Sequence, residues 1–360
     1  MLYAVIVAGG QGTRLWPVSR RNNPKQLYSF DGGETLLQRT YKRMLKVVPR
    51  EQIFIETNKD YKKEILEQLP NIDKTNIILE PASRNTAPAV GLAAAVIQKL
   101  DADATMINVW ADHYIADEKQ YKNKILLADK LLQKHPGYLV NIGSEPKYPA
   151  TAFGYLKTSG RLGVINGEVI YKVSQFVEKP NLTAAKKYVR AGNYYWNTAL
   201  FVWKVNTLLE MYQQYKPKIY DGLMKIQAAW GTNDQDKTIN RIFPKLEKVA
   251  IDYAIFEKAR NIALIPADIG WRDIGSWRDV YDILSKTGGT IVQKGKVRAI
   301  QTTDSLIFNE NKDKLVVVIG MNNVVIVDTQ DALLVMQKDR DQTIKNVIKE
   351  IEISKEAKFL

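Results

Sequence analysis

The sequence predicts an α/β protein: a large, mostly parallel sheet with helices on both faces, followed by a small β-rich domain. Short apolar runs rich in Val and Ile alternate with amphipathic segments through the first two-thirds of the 360-residue chain. That alternation indicates βα units, whose strands pair in parallel and whose helices cover both faces. After Ser285 only short apolar segments recur, separated by turns. We therefore expect one domain over residues 1–285 and a second over residues 286–360.

The individual elements follow from hydrophobic periodicity. Apolar, often β-branched runs predict the strands Leu2–Ala8, Ile53–Glu56, Ile77–Leu79, Thr105–Trp110 and Tyr138–Ile142. Apolar residues at helical spacing predict the helices Glu34–Val48, Asp60–Leu69, Ala87–Leu100, Tyr121–Lys134, Thr183–Ala191, Val205–Tyr215, Ile219–Trp230 and Ile251–Ala259. From Lys147 to Gly160 turn-forming and aromatic residues dominate, and the next strand begins at Val169. Ligands of such sheets bind at the carboxyl ends of the strands.

The composition restricts the chemistry. The chain has no cysteine and only two histidines, His113 and His135. This excludes disulfides, thiolate nucleophiles and metal sites built from several Cys or His side chains. A metal would be held by carboxylates, and such hard oxygen ligands favour Mg²⁺ or Mn²⁺.

The charge and hydropathy patterns exclude several partners. The net charge is +13, from 52 Lys and Arg against 39 Asp and Glu, and such an excess attracts polyanions. The sequence contains no nucleic-acid-binding motif, so we expect no nucleic acid partner. No apolar run approaches the roughly 18 residues of a membrane span, and no basic region precedes the first apolar run. We therefore expect no membrane partner, no secretory signal and a cytoplasmic location.

A glycine-rich loop follows the first predicted strand. Gly9, Gly10 and Gly12 let the backbone turn tightly and present its N–H groups to an anion. A dinucleotide fingerprint would need a third glycine opening a helix, but Leu15 stands at that position and Pro17 interrupts a helix. The loop also lacks the Gly-Lys-Ser/Thr of a Walker-type phosphate loop.

The rest of the loop is basic and stiffened by prolines. It carries Arg14, Arg20, Arg21 and Lys25, which indicates a clamp for a polyanion. The string GGQGTRLWP followed by PKQ resembles the signature of sugar-nucleotide pyrophosphorylases, specifically of the mannose-1-phosphate guanylyltransferase family. The resemblance implies that Gly9, Gly10, Gly12 and Thr13 bind the nucleotide and that Arg14 and Lys25 are catalytic, neutralising the triphosphate.

The same resemblance refines the predicted fold. It implies a Rossmann-like, mixed and mostly parallel sheet of the nucleotide-diphospho-sugar transferase type, and a β-helix-like coil for the C-terminal domain. The segment Glu80–Pro88 joins a predicted strand to a predicted helix, and Asn85 or Thr86 suits the helix N-cap. In the resembled family this segment also contacts the base, which implies base-binding roles for Asn85 and Thr86.

Two aspartates are predicted to hold the metal. Asp112 follows the strand Thr105–Trp110, a position that by itself favours a capping or turn role. The family pattern Pro-Ala-Asp-His implies that it is a metal ligand, although Trp110 replaces the proline. Asp273 lies in the string Gly270–Trp277, whose family counterpart supplies the second metal ligand, with Arg272 at a variable position.

Three further motifs resemble the family's sugar-binding segments. Gly154 belongs to a stretch that closes over the sugar, where Ala152 replaces a glycine. Glu178 would accept hydrogen bonds from sugar hydroxyls and Lys179 would bind the sugar phosphate, although a plain surface ion pair is the alternative. Asn197 matches an asparagine that hydrogen-bonds the sugar.

The motifs together predict an enzyme that joins GTP to mannose 1-phosphate, giving GDP-mannose and pyrophosphate, with Mg²⁺ or Mn²⁺ as cofactor. The same chemistry on another nucleoside triphosphate or another sugar 1-phosphate stays open. Two rival interpretations are a dinucleotide-dependent oxidoreductase and a non-catalytic relative that keeps the pocket. The apolar strands after Ser285 are too short to be stable alone, and the family parallel implies a homodimer.

Overall fold

The computed structural model describes residues 1–10, 12–285 and 290–360. Gln11 of the glycine loop, and residues 286–289 at the predicted domain boundary, lie outside the described residues, so that boundary stays a prediction. The strands in chain order are β1 (Leu2–Val7), β2 (Ile53–Asn58), β3 (Ile77–Glu80), β4 (Thr105–Trp110), β5 (His113–Tyr114), β6 (Leu139–Gly143), β7 (Tyr155–Ile165), β8 (Glu168–Val177), β9 (Tyr194–Trp196), β10 (Phe201–Lys204), β11 (Ile262–Pro266), β12 (Arg272–Asp273), β13 (Ile291–Lys294), β14 (Val297–Ile300), β15 (Ser305–Asn309), β16 (Val316–Ile319), β17 (Val324–Asp328) and β18 (Leu333–Gln337).

The helices alternate with the strands of the first two-thirds of the chain. They are α1 (Leu36–Leu45), α2 (Lys62–Gln68), α3 (Thr86–Leu100), α4 (Glu118–Lys134), α5 (Leu182–Ala191), α6 (Val205–Tyr215), α7 (Pro217–Ala229), α8 (Gln235–Ile242), α9 (Trp277–Leu284) and α10 (Ile344–Ile353). No helix in the described parts of the chain is both long and apolar enough to cross a membrane.

The described residues form two compact units that are not contiguous in sequence. The first contains residues 1–9, 40–111 and 115–271, and the second contains residues 10–39, 112–114 and 272–360. The glycine loop after Gly9 therefore belongs to the same unit as the C-terminal strands.

The first unit is built on one ten-stranded sheet with the order β3-β2-β1-β4-β10-β6-β11-β8-β7-β9. β1 pairs in parallel with β2 and β4, while β10 is inserted antiparallel between β4 and β6. The core includes fully buried Trp203, Phe201 and Phe256 together with the apolar length of α3. α3 is almost wholly buried because its Ala-rich sequence lets neighbouring elements approach closely. The predicted mixed α/β sheet is confirmed.

The second unit contains the predicted β-helix-like coil. β13, β15 and β17 pair in parallel in one sheet, and β14 and β16 pair in parallel in another. Each turn of the chain thus adds one strand to each sheet, which is the construction of a β-helix, and β18 closes the first sheet antiparallel to β17. A core of large apolar residues lies against this coil: Leu15, Trp16, Phe30, Trp277, Phe308 and Val325.

Two elements differ from the sequence predictions. Residues Tyr155–Gly160, which lie in the stretch dominated by turn-forming and aromatic residues, belong to β7 and form a long antiparallel hairpin with β8. Register shifts within this hairpin, near Thr158 and Gly160, explain why no regular alternation marks the strand. The predicted helix Ile251–Ala259 is reduced to one π-helical segment, Asp252–Phe256.

Candidate active site

The glycine loop is irregular, as the prolines predict. Thr13–Leu15 and Lys25–Leu27 form single 3₁₀ turns. Gly12 has a φ of 63°, and a Cβ added there would lie 2.7 Å from Cγ of Lys25. Both the backbone conformation and the close approach therefore require glycine at this position. Gly10 lies in open space, whereas Gly9, just after β1 in the first unit, is close to the Glu80 carboxylate.

Lys25 lies at the centre of the charged cluster in the second unit. Its side chain is 9% exposed, and its Nζ lies 2.7 Å from Asp112 Oδ2 and 3.8 Å from Asp273 Oδ1. Nζ also donates a hydrogen bond of 2.8 Å to the carbonyl oxygen of Ile274. Burial would lower the pKa of Lys25, but the two carboxylates outweigh it and raise that pKa above its ordinary value. The ammonium group is therefore positively charged at neutral pH.

A two-stranded ribbon holds the two aspartates together. In the pairing of β5 with β12, Asp273 lies opposite His113. The N–H of Ile274 donates to the carbonyl oxygen of Asp112 at 3.2 Å. Burial would raise the pKa of Asp112, but the charges of Lys25 and His113 lower it below its ordinary value. Asp112 is therefore an anion that can bind a cation.

The structure places a third candidate ligand, His113, beside the predicted metal pair. One ligand atom each from Asp112, His113 and Asp273 lie within 4.8 Å of one another. Two carboxylates and one imidazole fit a hard divalent cation such as Mg²⁺ or Mn²⁺. In the structure the ammonium of Lys25 supplies the positive charge beside them. His113 was not predicted as a ligand, although its position directly after Asp112 was the available signal.

Arg14 occupies a place that Gly275 leaves open. A Cβ on Gly275 would lie 2.5 Å from Nη2 of Arg14. Gly275 precedes Ser276, the N-cap of α9, whose hydroxyl accepts a hydrogen bond from the N–H of Asp279. Burial raises the pKa of Asp279, and the charge of Asp273 adds to that rise. The Gly-Ser turn thus both caps a helix and accommodates Arg14.

The predicted sugar-binding residues lie in the first unit. Glu178 forms an ion pair with Lys179, in which the Glu178 side chain is 8% exposed and that of Lys179 is 60% exposed. A Cβ on Gly154 would lie 2.6 Å from Oε2 of Glu178, so glycine is needed for the carboxylate to take this position. Lys179 has a φ of 45°, which is uncommon for a residue with a side chain. The backbone is thus held in an unusual conformation at the residue predicted to bind phosphate.

Asn197 is buried in a network of amides and a carboxylate. Its Oδ1 accepts from Nδ2 of Asn141 at 2.8 Å, and its Nδ2 donates to Oδ1 of Asp252 at 3.0 Å. Its backbone N–H donates to the carbonyl oxygen of Gly154 at 2.8 Å. Burial, and then the charge of Glu178, raise the pKa of Asp252 to about 6. The structure thus brings together Gly154, Glu178, Lys179 and Asn197.

Asn141 and Asp252 were not predicted as site residues. Asn141 is a fully buried polar residue within β6, in an otherwise apolar run. That interruption was the signal for a polar network, because buried amides require hydrogen-bond partners. Asp252 lies in a motif that resembles one in the family, but nothing in the sequence places it beside Asn197.

Asn85 and Thr86 begin α3. The Asn85 side chain accepts a hydrogen bond from the N–H of Thr86 at 2.8 Å, and its φ is 65°. The Thr86 hydroxyl accepts a hydrogen bond of 2.8 Å from the N–H of Ile251. The capping role of Asn85 is therefore seen directly, while the base-binding roles of both residues stay predictions.

Comparison with known proteins identifies the family. A family model described as nucleotidyl transferase matches residues 3–289. A second, described as a MannoseP isomerase/GMP-like beta-helix domain, matches residues 295–351. The first match covers most of the chain, and the second coincides with the parallel coil formed by β14 to β17.

Curated relatives narrow the assignment. Mannose-1-phosphate guanylyltransferase RfbM of Salmonella typhimurium is 38% identical over 352 residues, covering 96% of this chain and 71% of the relative. Mannose-1-phosphate guanylyltransferase of Escherichia coli K12 is 36% identical over 359 residues, covering 98% of this chain and 73% of the relative.

A solved structure supports the fold. The crystal structure described as a mannose-1-phosphate geranyltransferase from Thermus thermophilus has a TM-score of 0.84 at 29% identity, covering 98% of this chain and 99% of that chain. The resemblance drawn from the glycine loop is thus confirmed along almost the whole sequence. With a family model matched over most of its length and relatives 36–38% identical along nearly all of it, the chain belongs to the nucleotidyl transferase family and, within it, to the mannose-1-phosphate guanylyltransferases.

Proposed function

We propose that this protein transfers the GMP moiety of GTP to mannose 1-phosphate, forming GDP-mannose and pyrophosphate. The observation that carries the proposal is the cluster of Lys25 with Asp112 and Asp273. It combines a permanent cation with two carboxylates at a glycine-rich loop, which suits a metal–triphosphate substrate. The two relatives that are 38% and 36% identical to this chain are named for the same reaction.

The reaction needs no side-chain nucleophile. A phosphate oxygen of mannose 1-phosphate attacks the α-phosphorus of GTP, the new P–O bond forms, and the bond to the bridging oxygen of the β-phosphate breaks. Pyrophosphate leaves with the electron pair of that bond. Because the attacking oxygen is already anionic, the protein has to position the two substrates and offset their negative charge.

The residues divide this work between them. Lys25 and Arg14 offset the charge of the triphosphate, and the N–H groups of the glycine loop bind its oxygens. Asp112 and Asp273, with His113 beside them, would hold Mg²⁺ or Mn²⁺. The bound cation would supply charge neutralisation at the phosphates. In the first unit, Lys179 binds the phosphate of the sugar.

The sugar hydroxyls are assigned to the polar network of Asn197. Glu178 accepts hydrogen bonds from adjacent hydroxyl groups, and Asn197, fixed by Asn141 and Asp252, presents a rigid amide. Asn85 and Thr86 at the start of α3 are assigned to the base. An amide side chain offers both a donor and an acceptor to a base edge, and GTP is the proposed nucleotide.

The proposed substrate pair is tested by a panel assay. Purified protein is incubated with Mg²⁺, each of GTP, ATP, CTP and UTP, and each of mannose, glucose and galactose 1-phosphate, and pyrophosphate release is measured. We expect the highest kcat/KM for GTP with mannose 1-phosphate. Equal rates with GTP and ATP, or with mannose and glucose 1-phosphate, would leave a nucleotidyltransferase of different specificity. No release with any pair would refute catalysis.

We also propose that the protein is a cytoplasmic homodimer, since GTP is a cytoplasmic substrate. The outer face of the β14–β16 sheet carries Arg298, opposite Val317, together with exposed apolar side chains: Ile300 is 54%, Val317 52% and Ile319 60% exposed. Ile300 and Ile319 lie directly opposite each other. A patch of this kind on a soluble protein marks an interaction surface. A second copy of the chain is the proposed occupant, because pairing equivalent patches about a two-fold axis is the commonest oligomeric arrangement.

A further inference from the structure

The glycine loop is built into the C-terminal β-rich part of the chain. Residues 10–39 share one compact unit with residues 272–360. Leu15 and Trp16 are buried in the same apolar core as Phe308 of β15 and Val325 of β17. The loop that carries Lys25 therefore takes its conformation from strands that come almost three hundred residues later.

A first polar anchor lies before Lys25 in the sequence. Nη1 and Nη2 of Arg20 contact the two carboxylate oxygens of Asp331 at 2.7 and 2.6 Å. Nε of the same guanidinium donates to the carbonyl oxygen of Pro17 at 2.7 Å. Asp331 lies in the turn between β17 and β18. A bidentate arginine–carboxylate contact fixes orientation as well as distance. This pair therefore attaches the glycine loop at Arg20 to the β-helix-like coil.

A second polar anchor lies after Lys25. The Tyr28 hydroxyl donates to the carboxylate of Glu310 and accepts from Nζ of Lys294 at 3.1 Å. Lys294 also donates to the carbonyl oxygen of Ser29 at 2.9 Å. Lys294 ends β13 and Glu310 directly follows β15, so both partners come from the β-helix-like coil.

A third contact reaches the end of the chain. Nε1 of Trp16 donates to the carbonyl oxygen of Phe359 at 2.7 Å, and Nε1 of Trp277 donates to the carbonyl oxygen of Trp16 at 2.9 Å. Trp16 is thus hydrogen-bonded through both its ring and its backbone. The loop is held on either side of Lys25 by groups whose partners lie in the C-terminal region.

We propose that Asp331, Glu310 and Lys294 are positioning residues for Lys25, so that the β-helix-like domain sets the geometry of the catalytic loop. These side chains act through Arg20, Tyr28 and the backbone of the loop, and they themselves touch no reacting atom. The catalytic part of this inference rests on the proposed function. The structural part, that the coil orders the loop, stands independently of the substrate.

The structural part is tested by amide hydrogen exchange on the full chain. Asp331→Ala is compared with the unaltered protein, and the reporters are the N–H groups of Leu15, Val18 and Ser19, which bond to carbonyl oxygens within the loop. We expect these amides to exchange about tenfold faster or more in the variant, because local opening governs their protection. Asp313→Ala, which removes an exposed carboxylate of the same domain, is the matched control and should leave the exchange rates of these amides unchanged.

The catalytic part is tested by steady-state kinetics with GTP and mannose 1-phosphate. Asp331→Ala should lower kcat by roughly 10- to 100-fold, the effect expected when a catalytic group is misplaced by about 1 Å. The exchanged pair Arg20→Asp with Asp331→Arg should restore both kcat and amide protection. A merely stabilising contact would leave kcat unchanged at temperatures well below the melting point.

A second pair of variants covers the case in which Asp331→Ala does not fold. Lys294→Met removes the donor to the Tyr28 hydroxyl and Glu310→Met removes its acceptor, while both keep about the original side-chain length. Faster exchange of loop amides with reduced kcat in either variant supports the inference. Unchanged exchange in every folded variant overturns it, whatever the activity. An inactive unaltered protein whose loop nevertheless responds as expected would refute the proposed function alone.

Discussion

Lys25 and Asp112 form an ion pair of 2.7 Å in which the lysine side chain is nearly buried and the aspartate can also bind a metal. The two residues come from separate parts of the chain, and Asp273 from a third. Removing one member leaves the other charges without their partner in a poorly solvated place. Loss of one member should therefore destabilise the unit and, on the proposed function, also remove charge that acts on the triphosphate; the two effects can be separated by mutation.

We expect Asp273→Asn to lower kcat by about 100-fold or more and to leave the fold intact. Asparagine keeps the size of the side chain but removes a negative charge from the proposed metal site, and charge stabilisation at a phosphoryl centre has effects of this size. Pyrophosphate release and thermal unfolding should both be measured. Asp313→Asn, which removes an exposed carboxylate of the same unit, is the control. Full activity of Asp273→Asn, or of the unaltered protein in EDTA, would contradict the metal assignment.

Gly12→Ala should lower both activity and stability. The residue has a φ of 63°, and the added methyl group would lie 2.7 Å from Cγ and 2.8 Å from Cδ of Lys25. The left-handed conformation alone costs about 1 kcal/mol for alanine, and relief of the contact must displace Lys25. We expect a reduced melting temperature together with a larger loss of kcat than of affinity for mannose 1-phosphate.

Gly137→Ala is the matched control for that experiment, because nothing lies within 4 Å of an added Cβ there. Gly137→Ala should change neither the melting temperature nor kcat. If Gly12→Ala kept full kcat, Lys25 would not depend on the close packing of the loop.

Lys179→Ala should mainly raise the KM for mannose 1-phosphate, by roughly tenfold or more, the usual effect of losing a hydrogen bond to a charged group. The KM for GTP should change less, because Lys179 is assigned to the sugar phosphate. Lys186→Ala on the exposed face of α5 controls for the general loss of positive charge. A variant in which the KM for GTP rises and that for the sugar phosphate does not would assign Lys179 to the triphosphate.

Several parts of this arrangement could be predicted from the sequence. The alternation of apolar runs and helical patterns predicts the parallel half of the large sheet, and the change after Ser285 predicts a small β-rich domain. The family resemblance, and not the periodicity, implies that this domain is a β-helix-like coil. Lys25, Asp112 and Asp273 could be named from local motifs, because each lies in a short and unusual string. The contact between Arg14 and Gly275 could not be predicted, because nothing in the sequence around either residue indicates that the two lie together.

The rest depends on contacts distant in sequence. Arg20 and Arg21 look like further members of a phosphate clamp, but they form ion pairs with Asp331 and Glu352. Only the fold shows which arginine of a basic loop meets an acidic partner. The hairpin of β7 and β8 was obscured by its register shifts, which remove the regular alternation by which strands are found.

The free energy of unfolding should depend on pH through Glu56. This residue is fully buried in β2, and neither of its carboxylate oxygens has a hydrogen-bond partner among the described residues. Burial, and then the charge of Glu80, raise its pKa well above 4.5. Burial likewise raises the pKa of Glu80 to about 7. Two carboxyl groups are therefore kept protonated in the folded state under conditions in which the unfolded chain ionises them.

The sign of the effect follows from these raised pKa values. Below pH 4.5 both states are protonated and the contribution to stability is fully present. As the pH rises, the unfolded state loses its protons first, so the free energy of unfolding falls until the folded pKa is passed. Glu56→Gln cannot ionise, so its stability relative to the unaltered protein should increase from about pH 5 to about pH 8.

Thermal unfolding at the two pH values measures this difference. Each kcal/mol by which Glu56→Gln increases the free energy of unfolding corresponds to a rise of about 2–4 °C in the melting temperature of a large domain. Glu67→Gln, which replaces an exposed glutamate of α2, should shift the melting temperature equally at both pH values. An equal shift for Glu56→Gln at both would show that Glu56 is ionised in the folded protein.

The last prediction concerns the exposed apolar face of β14 and β16. Ile300, Val317 and Ile319 have more than half of their surface exposed. Full burial of such a side chain from water is favourable by about 1.5–3 kcal/mol, so covering the exposed part contributes roughly half of that for each residue. In a two-fold symmetric dimer the same three side chains are covered in each of the two copies. We therefore expect the 360-residue chain to be a dimer of twice 41.0 kDa in solution, and Val317→Lys with Ile319→Lys to convert it to a monomer.

Light scattering at micromolar concentration distinguishes the two states. Leu182→Lys is the control, because Leu182 is 51% exposed but lies on α5 in the other unit. The monomeric variant should keep its amide protection around Lys25, since the loop is anchored by Asp331, Glu310 and Lys294 within its own chain. It should therefore retain catalysis but unfold at a lower temperature than the unaltered protein at concentrations at which the unaltered protein is a dimer. A monodisperse monomer for the unaltered chain at this concentration would overturn the proposed dimer.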